Sequence, residues 1–178
     1  MKQSSKCAIG GIVAALSLVL LISVAIVPFM TYALPAMAGI LIAFTVNEID
    51  KKWGLGVYAA VAILGIFLVP DKEVSVMYLA LFGYYPVLKY FLEEKLKSKP
   101  LQMIIKILVF LVTMFTSYYL MIKLMGLEID EMEEFGKWAV PMLLGMGLVA
   151  FIIYDIAISK MILLYNLKWK KHFHKFFK

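Results

Sequence analysis

The chain has 178 residues, of which 63% are hydrophobic and 17% charged, and its mean hydropathy is +0.91, whereas a soluble domain typically carries about 25% charge. That excess of apolar surface excludes a single water-soluble globule and indicates an integral membrane protein, with room for about six spans of roughly 20 residues. One cysteine, Cys7, and two histidines, His172 and His174, exclude a disulfide framework, a multi-cysteine metal site and most histidine catalysis, so the expectation is no enzyme, no cofactor and no metal.

Apolar runs and their interruptions predict an all-α, polytopic fold with spans at about 7–29, 31–48, 53–70, 74–93, 100–125 and 138–165. The first run follows Lys2 and Lys6 like a secretory signal, but Ala8 to Val27 is uncharged throughout. That is longer than a cleavable apolar core of about 7 to 15 residues, so it reads as a retained helix. Pro28 closes it, and because the link to the second run is uncharged, a re-entrant hairpin is the alternative to two crossings. Asn47 through Lys52 separate the second and third runs, Pro70 through Glu73 the third and fourth, and Glu93 through Pro100 the fourth and fifth. A single transmembrane domain over 1–165 is expected, followed by a basic, amphipathic cytoplasmic tail over 166–178. In that tail Trp169 and Phe173 share a helical face opposite Lys168, Lys171 and Lys175, a pattern suited to anionic lipid.

All 18 basic residues are lysines. With a cytoplasmic N-terminus, Lys2, Lys6, Lys51, Lys52, Lys95, Lys97, Lys99 and the tail lysines fall inside. Only Lys72, Lys123 and Lys137 fall at the outer side, while Lys89, Lys106 and Lys160 lie within spans. This bias places both termini in the cytoplasm and the chain in the plasma membrane as a multi-pass protein. The net charge of +6 is thus a topology signal and not a nucleic-acid footprint.

Four groups of residues stand out. Gly10 with Ala14, and Gly11 with Ala15, set small side chains four apart on the first helix, a spacing that lets helix backbones approach closely in lipid; they serve either internal packing or docking of a partner. Lys89 lies roughly 6 to 8 Å and Lys106 about 9 Å from the inner helix ends, in the same depth band as Asp155 and as Glu48, which closes the second span on that side. Charges that deep usually face the bundle interior and pair, so a buried ion pair of Asp155 with Lys89 or Lys106 is expected. In the outer half, Tyr84 and Tyr85 beside Pro86, together with Tyr118 and Tyr119, offer stacking faces and hydroxyls to a small molecule. Adjacent residues point about 100° apart, so one of each pair faces the pocket, and Tyr85 and Tyr118 are assigned to it. The acidic segment Glu128 to Glu134 reads as a solvated loop, a lid or a weak divalent-cation collector. No Walker A pattern, HExxH or GxSxG occurs, so the chain itself hydrolyses no ATP.

The opening Lys6-Cys7-Ala8-Ile9-Gly10-Gly11-Ile12-Val13-Ala14-Ala15-Leu16, six short helices with both ends inside, and Tyr154-Asp155 in the last helix resemble the S components of energy-coupling factor (ECF) transporters. The resemblance implies a membrane-embedded binder of a vitamin or other micronutrient, captured from outside. It further implies docking on a T subunit that carries two ATPase subunits, with toppling in the bilayer to release the ligand. The family's small-residue docking motif corresponds to Gly11 and Ala15, with Gly10 and Ala14 as the other register. A secondary carrier or channel, and a non-transporting scaffold or immunity-type protein, are the alternatives from other classes.

Overall fold

The computed structural model describes residues 2–125 and 139–169, with side chains omitted at 118, 120–125, 139–143 and 169. The acidic segment 128–134, both histidines, the tail beyond 169 and the Tyr118 side chain lie outside the described residues. Those residues form seven α-helices, α1 Gln3–Ser23, α2 Ala33–Glu48, α3 Lys51–Leu68, α4 Lys72–Met77, α5 Tyr85–Lys95, α6 Lys99–Met125 and α7 Ala139–Leu164. Four helical stretches, Gln3–Ser23, Lys51–Leu68, Lys99–Ser117 and Leu144–Lys168, are long and apolar enough to cross a membrane. Helix α2 is apolar but shorter, with 16 residues.

The turns form at the proline and at the charged interruptions. Pro28–Met30 makes a single 3-10 turn between α1 and α2. Asp50 caps α3 by accepting from the Trp53 N–H at 2.9 Å, and Asp71 caps α4 by accepting from Glu73 and Val74. Each cap satisfies amide donors that a helix start leaves orphaned.

The fourth expected span is divided. Between α4 and α5 the chain makes a π-helical segment, Tyr78–Phe82, and a turn at Gly83–Tyr84. The break starts at Pro86, which has no N–H and whose ring crowds the carbonyl four residues back, that of Phe82. The Gly83 N–H reaches Tyr78 O at 2.8 Å, five residues back. The Leu79 carbonyl that it would have served in an α-helix accepts instead from the Tyr58 hydroxyl at 2.7 Å. The Phe82 carbonyl accepts from the Tyr154 hydroxyl at 3.0 Å. Displaced backbone acceptors are thus satisfied by tyrosines of neighbouring helices, as apolar surroundings require.

Helix α2 is the centre of the bundle, packed on α1, α3, α5 and α7. Ala38 and Ile42 are fully buried, and Leu34, Ala43 and Val46 nearly so. Gly39 sits where α2, the π segment and α7 meet, and a β-carbon there would overlap both the Tyr154 hydroxyl and the Phe82 carbonyl. Helices α6 and α7 are peripheral, with Ile104, Val112, Met146, Val149 and Ile153 outward. They touch through the stacked rings of Phe110 and Phe151, 4.6 Å between centroids.

Polar contacts gather one set of helix ends. Lys6 of α1 pairs with Asp50 at 3.6 Å, Lys51 of α3 with Glu94 of α5, and Asn47 of α2 bonds Asn166 beyond α7 at 3.1 Å. The lysine-rich turns therefore lie together at one end of the bundle. Helix α7 runs on without interruption into a π turn, Tyr165–Trp169.

Candidate functional site

The most concentrated polar chemistry lies between α5, α6 and α7. Lys89 and Lys106 are each 3% exposed. Lys89 Nζ donates to Asp155 Oδ1 at 2.5 Å, to the Asp155 carbonyl at 2.8 Å and to Ser159 Oγ at 2.7 Å. Lys106 Nζ reaches the same Oδ1 at 3.1 Å and Glu93 Oε1 at 2.7 Å. The Tyr85 hydroxyl also donates to Asp155 Oδ1, at 2.5 Å. One carboxylate oxygen thus takes three donors, and two ammoniums face two carboxylates, so the cluster is neutral overall. Neutrality and saturated hydrogen bonding are the conditions under which charge persists in a low-dielectric bundle.

Asp155 therefore meets both candidate lysines and not one of them. Two members were not singled out from the sequence. Glu93 reads there as a loop charge, yet it lies in the last turn of α5 and bridges Lys89 at 3.4 Å to Lys106; its spacing of four from Lys89 was the available signal. Ser159, one helical turn beyond Asp155, is the other.

The four tyrosines go to different places. Tyr85 is 1% exposed, with its ring edge-on to Phe151 at 4.8 Å and its hydroxyl on Asp155, so it belongs to the charge cluster. Tyr84 turns the other way, donating to Thr113 Oγ1 at 3.2 Å and facing Tyr58 edge-on at 6.4 Å. Tyr119 is 59% exposed on α6. Tyr84, in the turn before α5, thus meets α3 and α6, whereas Tyr85, at the start of α5, meets α7. Tyr58, Tyr78 and Tyr84 instead form an aromatic group around Gly83, a position where a β-carbon would crowd the Tyr58 and Tyr78 rings. The Tyr78 hydroxyl is buried and has no hydrogen-bond partner among the described residues.

Two grooves open on the bundle surface. The first, of about 390 Å³, runs between α1 and α3 and is lined by Cys7, Gly10, Gly11 and Ala14 of α1 and by Lys52, Trp53, Gly56, Val57 and Ala60 of α3. The two registers of the α1 motif separate here. Gly10 is closed inward against Val57 and Trp53, whereas Gly11 has no described residue within 4 Å of where a β-carbon would stand. Ala15 is exposed and Ala14 half-buried. Gly56 and Ala60 repeat the four-residue spacing on α3, which the sequence reading passed over. The second groove, of about 460 Å³, lies between α2 and α7 near the lysine-rich end. Among the described residues no group of three His, Cys, Asp or Glu side chains is arranged to hold a metal.

Comparison with protein-family models, with curated proteins and with solved structures finds no match to this chain.

Proposed function

We propose that the chain is a six-span plasma-membrane protein with both termini cytoplasmic, acting as the substrate-binding subunit of an ECF-type importer. On this reading it captures a vitamin or similar small micronutrient from outside and docks on a T subunit bearing two ATPases. The observation that carries the reading is the open groove of small residues between α1 and α3. In lipid no hydrophobic effect drives helices together, so a backbone left bare by Gly11 and Gly56, with Ala14 and Ala60 beside them, is suited to receiving another protein's helix. Gly10 lines the groove while packing on Val57 and Trp53, and Gly11 meets open space, which leaves Gly11 as the contact for the partner and Ala15 exposed beside it.

Helix lengths support this crossing count. Helix α2 spans about 24 Å at 1.5 Å per residue, close to the roughly 30 Å hydrocarbon core. The α4–π–α5 unit returns from residue 72 to 95, bent but continuous enough to cross. The lysine-rich end becomes cytoplasmic by the positive-inside rule. The opposite half, with Tyr58, Tyr78 and Tyr84 beside Thr113, supplies the ring faces and hydroxyls for an organic solute. Tyr85 supports that half from below through Asp155.

Affinity purification from native membranes tests the proposal. A T subunit and ATPases are expected with the wild-type chain and absent with Gly11→Leu/Ala15→Leu. Gly145→Leu, at an equally open glycine of α7, is expected to retain them. Equal partner recovery from the double variant overturns the docking assignment. The buried Asp155 cluster favours one rival, a gradient-driven carrier: solute uptake that needs a proton or sodium gradient and no ATPase replaces the importer reading.

A further inference from the structure

Two hydrogen-bond patterns compete in the segment Tyr78–Phe82. In the π form the Gly83 N–H reaches the Tyr78 carbonyl at 2.8 Å and the Leu79 carbonyl takes the Tyr58 hydroxyl at 2.7 Å. The Tyr78 hydroxyl, buried, is left without a partner among the described residues. In an α-helical pattern the Gly83 N–H serves the Leu79 carbonyl and the Phe82 N–H serves that of Tyr78. The Tyr58 hydroxyl is then released, and the hydroxyl still unmatched is that of Tyr78, on a ring 6.2 Å from its own. Pro86 blocks neither change, since the carbonyl it crowds is that of Phe82, which keeps the Tyr154 hydroxyl.

The α pattern thus pairs every one of these groups, and a buried hydroxyl left unpaired calls for a cause. The cause is α4. A π turn carries about one residue more than an α turn, so losing it rotates α4 by about 100° against α5. Helix α5 is held, because Tyr85 and Lys89 are tied to Asp155 of α7 and Glu94 to Lys51 of α3. Helix α4 has six residues and turns the buried Val74 and Ser75 inward, Ser75 Oγ donating to the Gly65 carbonyl at 3.1 Å. The π form keeps those inward contacts and strands one hydroxyl, whereas the α form pairs the hydroxyl and turns Val74 outward. Opposed contributions of that kind make an element with two states.

We propose that α4 switches between these two forms, the Tyr58 hydroxyl passing from the Leu79 carbonyl to the Tyr78 hydroxyl, and so gates the aromatic group of Tyr58, Tyr78 and Tyr84. The solute site proposed there gives the gate a use, but no solute or partner enters its test, so the two readings stand or fall separately. Val74→Cys in a Cys7→Ser background places a single thiol near the start of α4, buried in the π form. The purified full chain in phosphatidylcholine nanodiscs is exposed to N-ethylmaleimide, and labelling is followed by mass spectrometry. Slow labelling of Val74→Cys is expected, with none at Val61→Cys, buried on α3, over the same time. Tyr78→Phe removes the stranded hydroxyl of the π form and strands that of Tyr58 in the α form. It should slow Val74→Cys labelling by about tenfold, the effect of one buried hydroxyl left unpaired. Tyr58→Phe adds one unpaired group to each form and should leave the rate unchanged. Tyr58→Phe combined with Tyr78→Phe strands only the Leu79 carbonyl, in the π form, and should return the rate to that of the parent. The gate is overturned by an unreactive Val74→Cys, or by equal labelling of Val74→Cys and Val61→Cys, which means that the whole bundle opens. A Tyr78→Phe rate equal to or above the parent's overturns the hydroxyl exchange, as does a double variant that stays slow.

Discussion

Asp155 is too short to reach the headgroups from its depth in α7, so its charge has to be answered inside the bundle. The two lysines that answer it lie on two other helices, which makes one carboxylate the tie among α5, α6 and α7. Asp155→Asn leaves two ammoniums 3% exposed with Glu93 alone, and is expected to destabilise the protein by about 3 to 5 kcal/mol, as breaking one side of a buried pair does. Denaturant titration in a mild detergent measures it. Asp155→Asn combined with Lys89→Met, which removes the stranded charge as well, should recover part of the loss. Glu93→Gln, at a side chain 42% exposed, should cost much less, about 1 kcal/mol. An Asp155→Asn protein as stable as wild type would mean that the cluster contributes nothing. The meeting of these three charges is legible in the sequence, because depth along a helix follows from counting residues and charge at depth demands a partner. Which lysine pairs, and that Glu93 and Tyr85 join, is not legible: it depends on how α5 is rotated after the Pro86 break.

At the scale of the elements, the charged turns after α2, α3 and α5 stand where the apolar runs stop, since caps and loop charges are local chemistry. The division of α4 from α5 is harder to foresee. Pro86 announces a disturbance, but a π segment forms only because Tyr58 and Tyr154, remote in sequence, take the carbonyls that α-helical pairing gives up. Gly39 is what permits that arrangement, and it contrasts with Gly11. Gly39→Ala puts a methyl into the Tyr154 hydroxyl and the Phe82 carbonyl, and overpacking of that kind typically costs about 1 to 3 kcal/mol. Gly11→Ala meets open space and should be neutral or stabilising by up to about 1 kcal/mol, the helix-propensity difference. Parallel thermal melts of the two variants check the contrast, and similar melting of both would show that the three-helix junction at Gly39 relaxes freely. The small-residue motif illustrates the limit of pattern reading in the same way. Spacing of four identifies both registers on α1, but only the position of α3 decides that Gly10 faces in and Gly11 faces out.

For the molecule as a whole, the lysines gather at one end because every second turn of an up-and-down bundle returns there, and the ion pairs Lys6 to Asp50 and Lys51 to Glu94 hold those turns together. If that end faces the cytoplasm, the Lys97 turn is inside and the Glu73 turn, one crossing away along the α4–π–α5 unit, is outside. Cys7 is the single cysteine of the chain, so Cys7→Ser provides a background in which one introduced thiol reports one position. Lys97 and Glu73 are both exposed, so neither replacement disturbs the core. A membrane-impermeant maleimide applied to intact cells should label Glu73→Cys and should label Lys97→Cys only after the membrane is opened. Labelling of both from outside would mean that the bent unit does not cross, which removes the six-span topology. The reverse pattern would put the lysine-rich end outside, and the tyrosine-rich half would then face the cytoplasm, where capture of an external micronutrient has no route to it.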